Sequence, residues 1–404
     1  MRQIFFGGTN DAINSAATEY VAFNGQQGNT WNATHTLRQQ MVAGTGIFHS
    51  LKMTLDAAPG GGGTYTFNLR KNNATTGVSV AITDPATDGK DTFNEASFTP
   101  GDLIDLECVP SGSPSNTPIA KWSAIYEDAT SPERTVIIGG HNDPLNATTN
   151  EFNYISGGAT WGTISPGTIG PTVTIPIAGV LRDFYVDLSG TPGTGASYTF
   201  NTATPTTPTS LGITISGTAT TGSDTSNTDA VSADAVRTIR CAPSGSPSVR
   251  RARWGFIFTD DNREKWIILG GSTDNLHNSA TEYNNINITD SPWNGTVTNR
   301  ELLIAECCTL SNLHVVLNAS PGIGKSYQFT IMKNGSATSL QATVSDLTFN
   351  AADDTNTVEF AEGDLISFQV VPSGTPTITQ ARWGVAARSG LPFPNSLKQV
   401  GIGI

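Results

Sequence analysis

Apolar and polar residues alternate over short runs along most of the chain. Residues 50–55 place apolar side chains at every second position, and residues 183–188 and 312–317 repeat this pattern. A period of two is typical of strands with one buried face, because successive side chains of a strand point to opposite sides of the sheet. Turn dipeptides such as Pro-Gly, Asn-Gly and Ser-Gly separate the runs. The pattern therefore predicts an all-β protein of short strands.

The same succession of runs occurs three times. Each copy opens with an apolar run ending in Gly-Gly, contains a Tyr-x-Phe strand, and closes with a Pro-Ser-Gly-x-Pro turn followed by a basic residue and Trp, at intervals of about 130 residues. A period of this length indicates whole domains rather than solenoid units. We predict three tandem β-sandwich domains, jelly-roll-like, over residues 1–128, 133–260 and 264–389, followed by a C-terminal tail over residues 390–404.

The opening and closing strands of each copy, and the links between copies, indicate how the copies are arranged. Pairing of the closing strand with the opening strand would bring the two ends of a copy together. The links between copies are short and polar, so neighbouring domains are expected to touch. Three similar domains in contact allow a pseudo-trimer, in which one chain has the shape of a threefold assembly.

Charge and composition narrow the functional classes. The chain has 22 Lys and Arg against 34 Asp and Glu, a net charge of −12, which argues against nucleic-acid binding because phosphate contacts need clustered basic residues. No apolar run approaches the length of about 18 residues that a membrane span requires. The opening apolar run is too short for a secretory signal, so we expect synthesis in the cytoplasm.

The four cysteines are expected to be reduced structural thiols. Cys108 and Cys241 occupy the position that Val370 fills in the third copy, and a position that accepts Cys or Val is an apolar core position. Cys307 and Cys308 are adjacent, an arrangement that suits neither a disulfide nor a metal site by itself. The sequence thus predicts no disulfide.

Two acidic positions recur in all three copies. They are Asp11, Asp143 and Asp274 after the Gly-Gly pairs, and Glu19, Glu151 and Glu282 before an aromatic residue. Such carboxylates can bind Ca²⁺, but two positions per copy fall short of its six to eight oxygen ligands. The favoured interpretation is structural: Asp caps a turn, and Glu pairs across strands with Lys121, Arg253 or Arg382. We expect no metal and no cofactor.

The ingredients of catalysis are sparse. None of the five histidines recurs at one position in all three copies, and the chain lacks a G-x-S-x-G elbow, an H-E-x-x-H pair and a C-x-x-C pair. A glycan-cleaving enzyme would need a spaced carboxylate pair, and nothing favours one pair over another. We expect a protein that is not an enzyme.

Several residues are candidates for contacts with partners. Trp122, Trp254 and Trp383 share a face with apolar neighbours and are expected in the core. The second recurring set lies in Asn/Thr/Gly-rich stretches and is a candidate for exposed contacts: Trp31, Trp161 and Trp293. The basic pair Arg250 and Arg251 could face an acidic neighbour. In the tail, Phe393 and Ile402 belong to an apolar segment that could dock on a partner.

Residues 65–76, with Tyr-Thr-Phe followed by a Lys-Asn turn, resemble a segment of structural proteins of tailed bacteriophages. The third copy keeps it at 327–335, followed by Gly-Asp, Pro-Ser-Gly-Thr-Pro and Arg-Trp between 363 and 383. The second copy departs from the pattern, because it lacks the Lys-Asn-Gly turn and has Ala235 in place of Asp.

The resemblance implies a structural protein of the virion surface, either a capsid decoration protein or a tail accessory protein. Such a protein would act by packing against other virion proteins or copies of itself, without nucleic-acid or membrane partners, after synthesis in the host cytoplasm. The alternative it leaves open is a receptor- or carbohydrate-binding tail-fibre module, in which the second tryptophan set would contact a host surface glycan.

Overall fold

The computed structural model describes residues 2–25, 29–128, 134–164, 170–287 and 289–390. Within these ranges the regular structure is β, apart from two single-turn 3-10 helices at His35–Leu37 and Val297–Asn299. The all-β class predicted from the alternation is confirmed.

The strands fall into three similar sets, one in each sequence copy. In the described part of copy one they are β1 Arg2–Gly8, β2 Glu19–Val21, β3 Gln40–Met41, β4 Gly46–Leu55, β5 Thr64–Lys71, β6 Ala74–Thr83, β7 Asp88–Phe98, β8 Leu103–Ser111 and β9 Ala120–Asp128. In copy two they are β10 Thr135–Gly140, β11 Glu151–Asn153, β12 Val173–Thr174, β13 Gly179–Leu188, β14 Gly193–Thr204, β15 Thr207–Gly217, β16 Thr221–Asp224, β17 Asp229–Val231, β18 Val236–Ser244 and β19 Ala252–Asp260. In copy three they are β20 Trp266–Ser272, β21 Glu282–Asn284, β22 Leu302–Leu303, β23 Cys308–Leu317, β24 Gly322–Lys333, β25 Ser336–Asp346, β26 Asn350–Asp353, β27 Val358–Phe360, β28 Leu365–Ser373 and β29 Ala381–Ser389.

The strand pairing is antiparallel and follows one plan in each copy. The opening strand pairs with the closing strand, β1 with β9, β10 with β19 and β20 with β29. In copy one this sheet runs β1-β9-β4-β7, and a second sheet contains β8-β5-β6 with β2 and β3 at its edge. The corresponding strands pair in the same order in the other two copies. These sheets place the two ends of each copy side by side, as expected from the sequence.

The recurring Gly-Gly and Trp signals have a common physical cause. The closing tryptophan of each copy lies flat against the first glycine of the opening strand. A Cβ at Gly139 would lie 2.4 Å from the Trp254 indole, so a side chain at this position is sterically excluded. The Trp254 Nε1 then donates to the backbone oxygen of Ile155 at 3.0 Å. The same contacts recur in the other two copies.

Each opening strand is buried on both faces and contributes to two hydrophobic cores. Its middle residue packs in the core of its own copy, whereas the residues on either side pack in the core of a neighbouring copy. Ile4 and Phe6 of copy one belong to the core of copy three. Val136 and Ile138 belong to the core of copy one, and Ile267 and Leu269 of copy three complete the core of copy two.

The contacts between copies follow the same cyclic order. The short strand β3 of copy one packs on β10 and β19 of copy two, β12 of copy two packs on β20 and β29 of copy three, and β22 of copy three packs on β1 and β9 of copy one. The first of these contacts includes a strand bridge between Met41 and Gly139. The three copies therefore form a closed ring.

Candidate functional site

The tryptophans predicted to make exposed contacts are buried. Trp31, Trp161 and Trp293 are 5%, 4% and 7% exposed. Each packs against the closing tryptophan of its own copy, with ring centroids 5.4–6.2 Å apart. The prediction of a contact surface there is wrong, because loops whose sequence is rich in polar residues fold over the sheet and place the tryptophan in the core.

The recurring aspartates hold these buried tryptophans in place. One carboxylate oxygen accepts the backbone N–H of the tryptophan in each copy: Asp11 from Trp31 at 2.9 Å, Asp143 from Trp161 at 2.8 Å and Asp274 from Trp293 at 3.0 Å. Burial raises the pKa of the Asp143 carboxyl, while the hydrogen bond from Trp161 opposes this shift. A structural role for these acids agrees with the geometry, but the predicted turn cap is wrong, because each carboxylate binds a backbone N–H about twenty residues away.

The recurring glutamates also bind backbone, but not in the way predicted. Glu19, Glu151 and Glu282 accept the N–H of Asn14, Asn146 and His277 at 2.9, 2.6 and 2.8 Å. The expected cross-strand pairs with Lys121, Arg253 and Arg382 are therefore wrong, since each glutamate closes its own loop. No group of three or more His, Cys, Asp or Glu side chains suited to a metal ion occurs in the described part of the chain.

The basic residue that precedes each closing tryptophan reaches into a neighbouring copy. Lys121 donates to the Thr298 backbone oxygen at 3.1 Å, Arg253 to the Thr36 backbone oxygen at 3.0 Å, and Arg382 to Thr172 Oγ1 at 2.5 Å. Burial lowers the pKa of Arg382 to about 10 and that of Lys121 below its usual value. These side chains bridge the copies. Their recurrence beside Trp is visible in the sequence, but the bridging role is visible only in the structure.

Polar side chains from all three copies meet where the opening strands converge. Asn287 Nδ2 donates to Asn24 Oδ1 at 3.0 Å, and Asn24 Nδ2 donates to Ser156 Oγ at 3.2 Å. Asn287 also donates to the backbone oxygen of Phe6 at 2.7 Å. The three residues occupy equivalent positions and line a small cavity of about 20 Å³, room for about one water molecule. They make the centre of the ring a polar contact among the copies.

A buried histidine joins copies two and three. His314 is 3% exposed. Its Nδ1 lies 2.8 Å from Asp234 of copy two, and its Nε2 lies 3.0 Å from Asp354 of its own copy. The geometry places one imidazole between two carboxylates, so this side chain links the two copies at their seam.

A further recurring motif escaped the sequence analysis. Asp91, Asp224 and Asp353 each accept several backbone N–H groups and the side-chain amide of the Asn three residues later. Burial alone would raise the pKa of Asp353, but the hydrogen bonds from Asn356 and Gln341 lower it to about 2. The signal that could have found it is Asp-x-x-Asn at one position in all three copies.

The predicted basic contact pair, Arg250 and Arg251, makes hydrogen bonds within its own copy. Arg250 donates to the backbone oxygens of Thr191 and Val249, both at 2.9 Å, and Arg251 donates to the backbone oxygen of Asn142 at 2.6 Å. These half-buried side chains hold loops of copy two, so the geometry gives them a local role. Phe393 and Ile402 lie outside the described residues.

The cysteines are free thiols. Cys108 and Cys241 are buried in equivalent core positions, as predicted, and burial raises the pKa of each thiol well above its usual value. Cys308 is buried as well, whereas Cys307 is exposed, so only three of the four thiols fill the core.

No protein-family model matches the chain, and no curated protein matches it. In the ranges that the structure describes, no helix has the length and apolar character needed to cross a membrane.

Proposed function

We propose that the chain is a non-enzymatic structural protein of a tailed-phage particle surface, a capsid decoration or tail accessory protein that acts by protein–protein packing. The observation that supports this most strongly is the closed ring of three copies, in which each opening strand completes the core of a neighbouring copy. A ring of this kind presents three similar surfaces about one axis. Such a shape matches a local threefold position of a capsid lattice.

The covalent connection of the three copies favours this use. Three separate chains would lose translational and rotational freedom on assembling, a cost of several kcal/mol that depends on concentration. One chain that contains all three copies forms its ring at any dilution. A particle-surface protein that must stay assembled after release from the cell would benefit from this property.

The strand order also supports the proposal. The opening and closing strands lie in one sheet, β1-β9-β4-β7 in copy one, and β8, β5 and β6 lie in a second antiparallel sheet. Jelly-roll domains are also built from two sheets. Jelly rolls are common in viral capsid proteins. The low content of charged residues, 14%, suits a surface that packs against other proteins.

The alternative, a glycan-binding fibre module, was based on three tryptophans that the structure does not expose. Trp31, Trp161 and Trp293 are buried and cannot stack on a sugar from solvent. The proposed function is therefore the packing role.

The experiment has two stages. The purified chain is first measured by size-exclusion chromatography with light scattering, where the ring predicts a compact monomer of 42.4 kDa. It is then mixed with capsids assembled from the major capsid protein of the same phage, sedimented, and imaged by electron microscopy. One chain on each local threefold position would support a decoration role.

Two outcomes would contradict the proposal. An extended rod or a stable homotrimer in the first stage would contradict the closed ring within one chain. A compact monomer that sediments with neither capsids nor purified tails of the same phage would contradict the particle role while leaving the ring intact.

A further inference from the structure

A polar cleft lies at the seam between copies one and three. One wall comes from the turn after the first Gly-Gly pair, residues 8–11, with residues 29–30; the other comes from residues 291–292 and 299–301 of copy three. The cleft has a volume of about 340 Å³, within the range of small-molecule sites. Its lining is rich in Asn, Thr and Ser, whose amides and hydroxyls can both donate and accept hydrogen bonds.

Arg300 lines this cleft as a buried cation without an ion-pair partner among the described residues. The residue is 6% exposed, and its Nε has no hydrogen-bond acceptor among the described residues. Its other nitrogens contact neutral groups: Nη2 donates to the Pro292 backbone oxygen at 2.7 Å, and Nη1 donates to that of Asn299 at 3.4 Å. The Asn10 amide oxygen, turned toward Arg300, accepts from Nη1 at 2.8 Å. The guanidinium therefore retains donor capacity and an uncompensated charge.

Arg38 is the equivalent arginine in copy one, and it has a hydroxyl acceptor that Arg300 lacks. Arg38 donates from Nε to the Thr30 backbone oxygen and from Nη2 to Thr30 Oγ1, both at 2.8 Å. Pro292 replaces that threonine in copy three, which removes the hydroxyl acceptor. This single replacement leaves the Arg300 guanidinium without the hydroxyl acceptor that Arg38 has, and the edge that carries Nε has no intramolecular partner among the described residues.

The remaining charges of the cleft are accounted for by other groups. Glu301 faces Lys121 across the seam at 3.9 Å. Asp11 holds the Trp31 N–H, and its charge offsets part of the burial that lowers the pKa of Arg38. Burial also lowers the pKa of Arg300, and no carboxylate in the described part of the chain offsets that effect. The cleft is thus lined by two cations and two carboxylates, and Arg300 is the cation that no carboxylate of the described residues pairs with.

We propose that this cleft binds an acidic monosaccharide unit, with its carboxylate on Arg300 and its hydroxyls on the Asn and Thr side chains of the two walls. A guanidinium with a free edge matches a carboxylate through paired hydrogen bonds. The volume accommodates one sugar ring. This site is separate from the packing role and does not depend on it.

The test is calorimetric titration of the full-length chain with glucuronate, N-acetylneuraminate, glucose, acetate and inorganic phosphate. We expect the sugar acids to bind, and glucose and acetate to bind at least about tenfold more weakly, because each lacks one half of the recognised chemistry. Arg300→Gln should weaken binding of the sugar acid by about tenfold or more. Arg250→Gln, which removes an arginine held by backbone oxygens in copy two, should leave it unchanged.

A second variant keeps the proposal testable if Arg300→Gln does not fold. Pro292→Thr supplies the hydroxyl that Thr30 provides in copy one, so it should occupy the free edge of Arg300 and weaken binding several-fold without lowering the melting temperature. Failure of both sugar acids to bind would overturn the proposal. So would equal binding of acetate or glucose, binding of phosphate alone, or wild-type affinity in either the Arg300 or the Pro292 variant.

Discussion

Replacing Phe6 by alanine tests whether the opening strand of copy one supports the core of copy three. Phe6 is 2% exposed and packs near Trp266 of copy three, with ring centroids 6.3 Å apart. Removing a fully buried phenyl ring costs about 3–5 kcal/mol of unfolding free energy, from the lost transfer energy and the cavity left behind. Phe93→Ala is the matched control, because Phe93 is 94% exposed and its loss should change stability by no more than about 0.5 kcal/mol.

Hydrogen exchange shows where the lost stability appears. The strand β22, Leu302–Leu303, packs on β1 and pairs with β28, so amides of both copy-three strands should exchange faster in Phe6→Ala. The equivalent strand β3 packs on β10 and β19 of copy two and should keep its protection. Faster exchange confined to copy one, or a loss of stability no larger than that of Phe93→Ala, would refute the cyclic sharing of cores.

Three further predictions follow from the same geometry. Gly139→Ala should lower the melting temperature, because its Cβ would lie 2.4 Å from the Trp254 indole and overpacking costs about 1–3 kcal/mol; Gly162→Ala, with no atom of the described residues within 4 Å of the added Cβ, should not. Because the folded pKa of Asp353 is lowered to about 2, its stabilising effect should be present above pH 4 and be lost as the pH falls toward 2, and Asp353→Asn should flatten that part of an unfolding free energy curve measured against pH. Calorimetric scans with Ca²⁺ and with EDTA should give the same melting temperature, since the recurring aspartates already bind backbone N–H groups; a calcium-dependent rise would contradict that assignment.

The ring explains why the recurring residues are of two kinds. One kind builds each copy from within, as the aspartate that holds the buried tryptophan does. The other joins copies, as Lys121, Arg253 and Arg382 do across the seams. Both recur at the same interval, because each copy faces its neighbour in the same way. Recurrence in a sequence therefore cannot separate residues of the fold from residues of the assembly.

The candidate contact residues also show that a sequence pattern does not determine which side chains are exposed. The exposed role expected for Trp31, Trp161 and Trp293 rested on their polar neighbours, but the burial of a loop depends on what the loop folds over. Arg250 and Arg251 read as a basic patch, yet backbone oxygens distant in the sequence accept their donors. Arg300 and Arg38 occupy equivalent positions in the sequence, and the hydrogen-bond acceptors around each guanidinium distinguish the two.

The sequence by itself determined the all-β class, the threefold recurrence, and the core positions of Trp122, Trp254 and Trp383. These features depend on local alternation and on the interval between motifs, both of which can be read along one chain. The tertiary structure alone decided which copy each face of an opening strand would serve. Ile4 and Phe5 are equally apolar, and their opposite destinations depend on which neighbour the ring brings to each side.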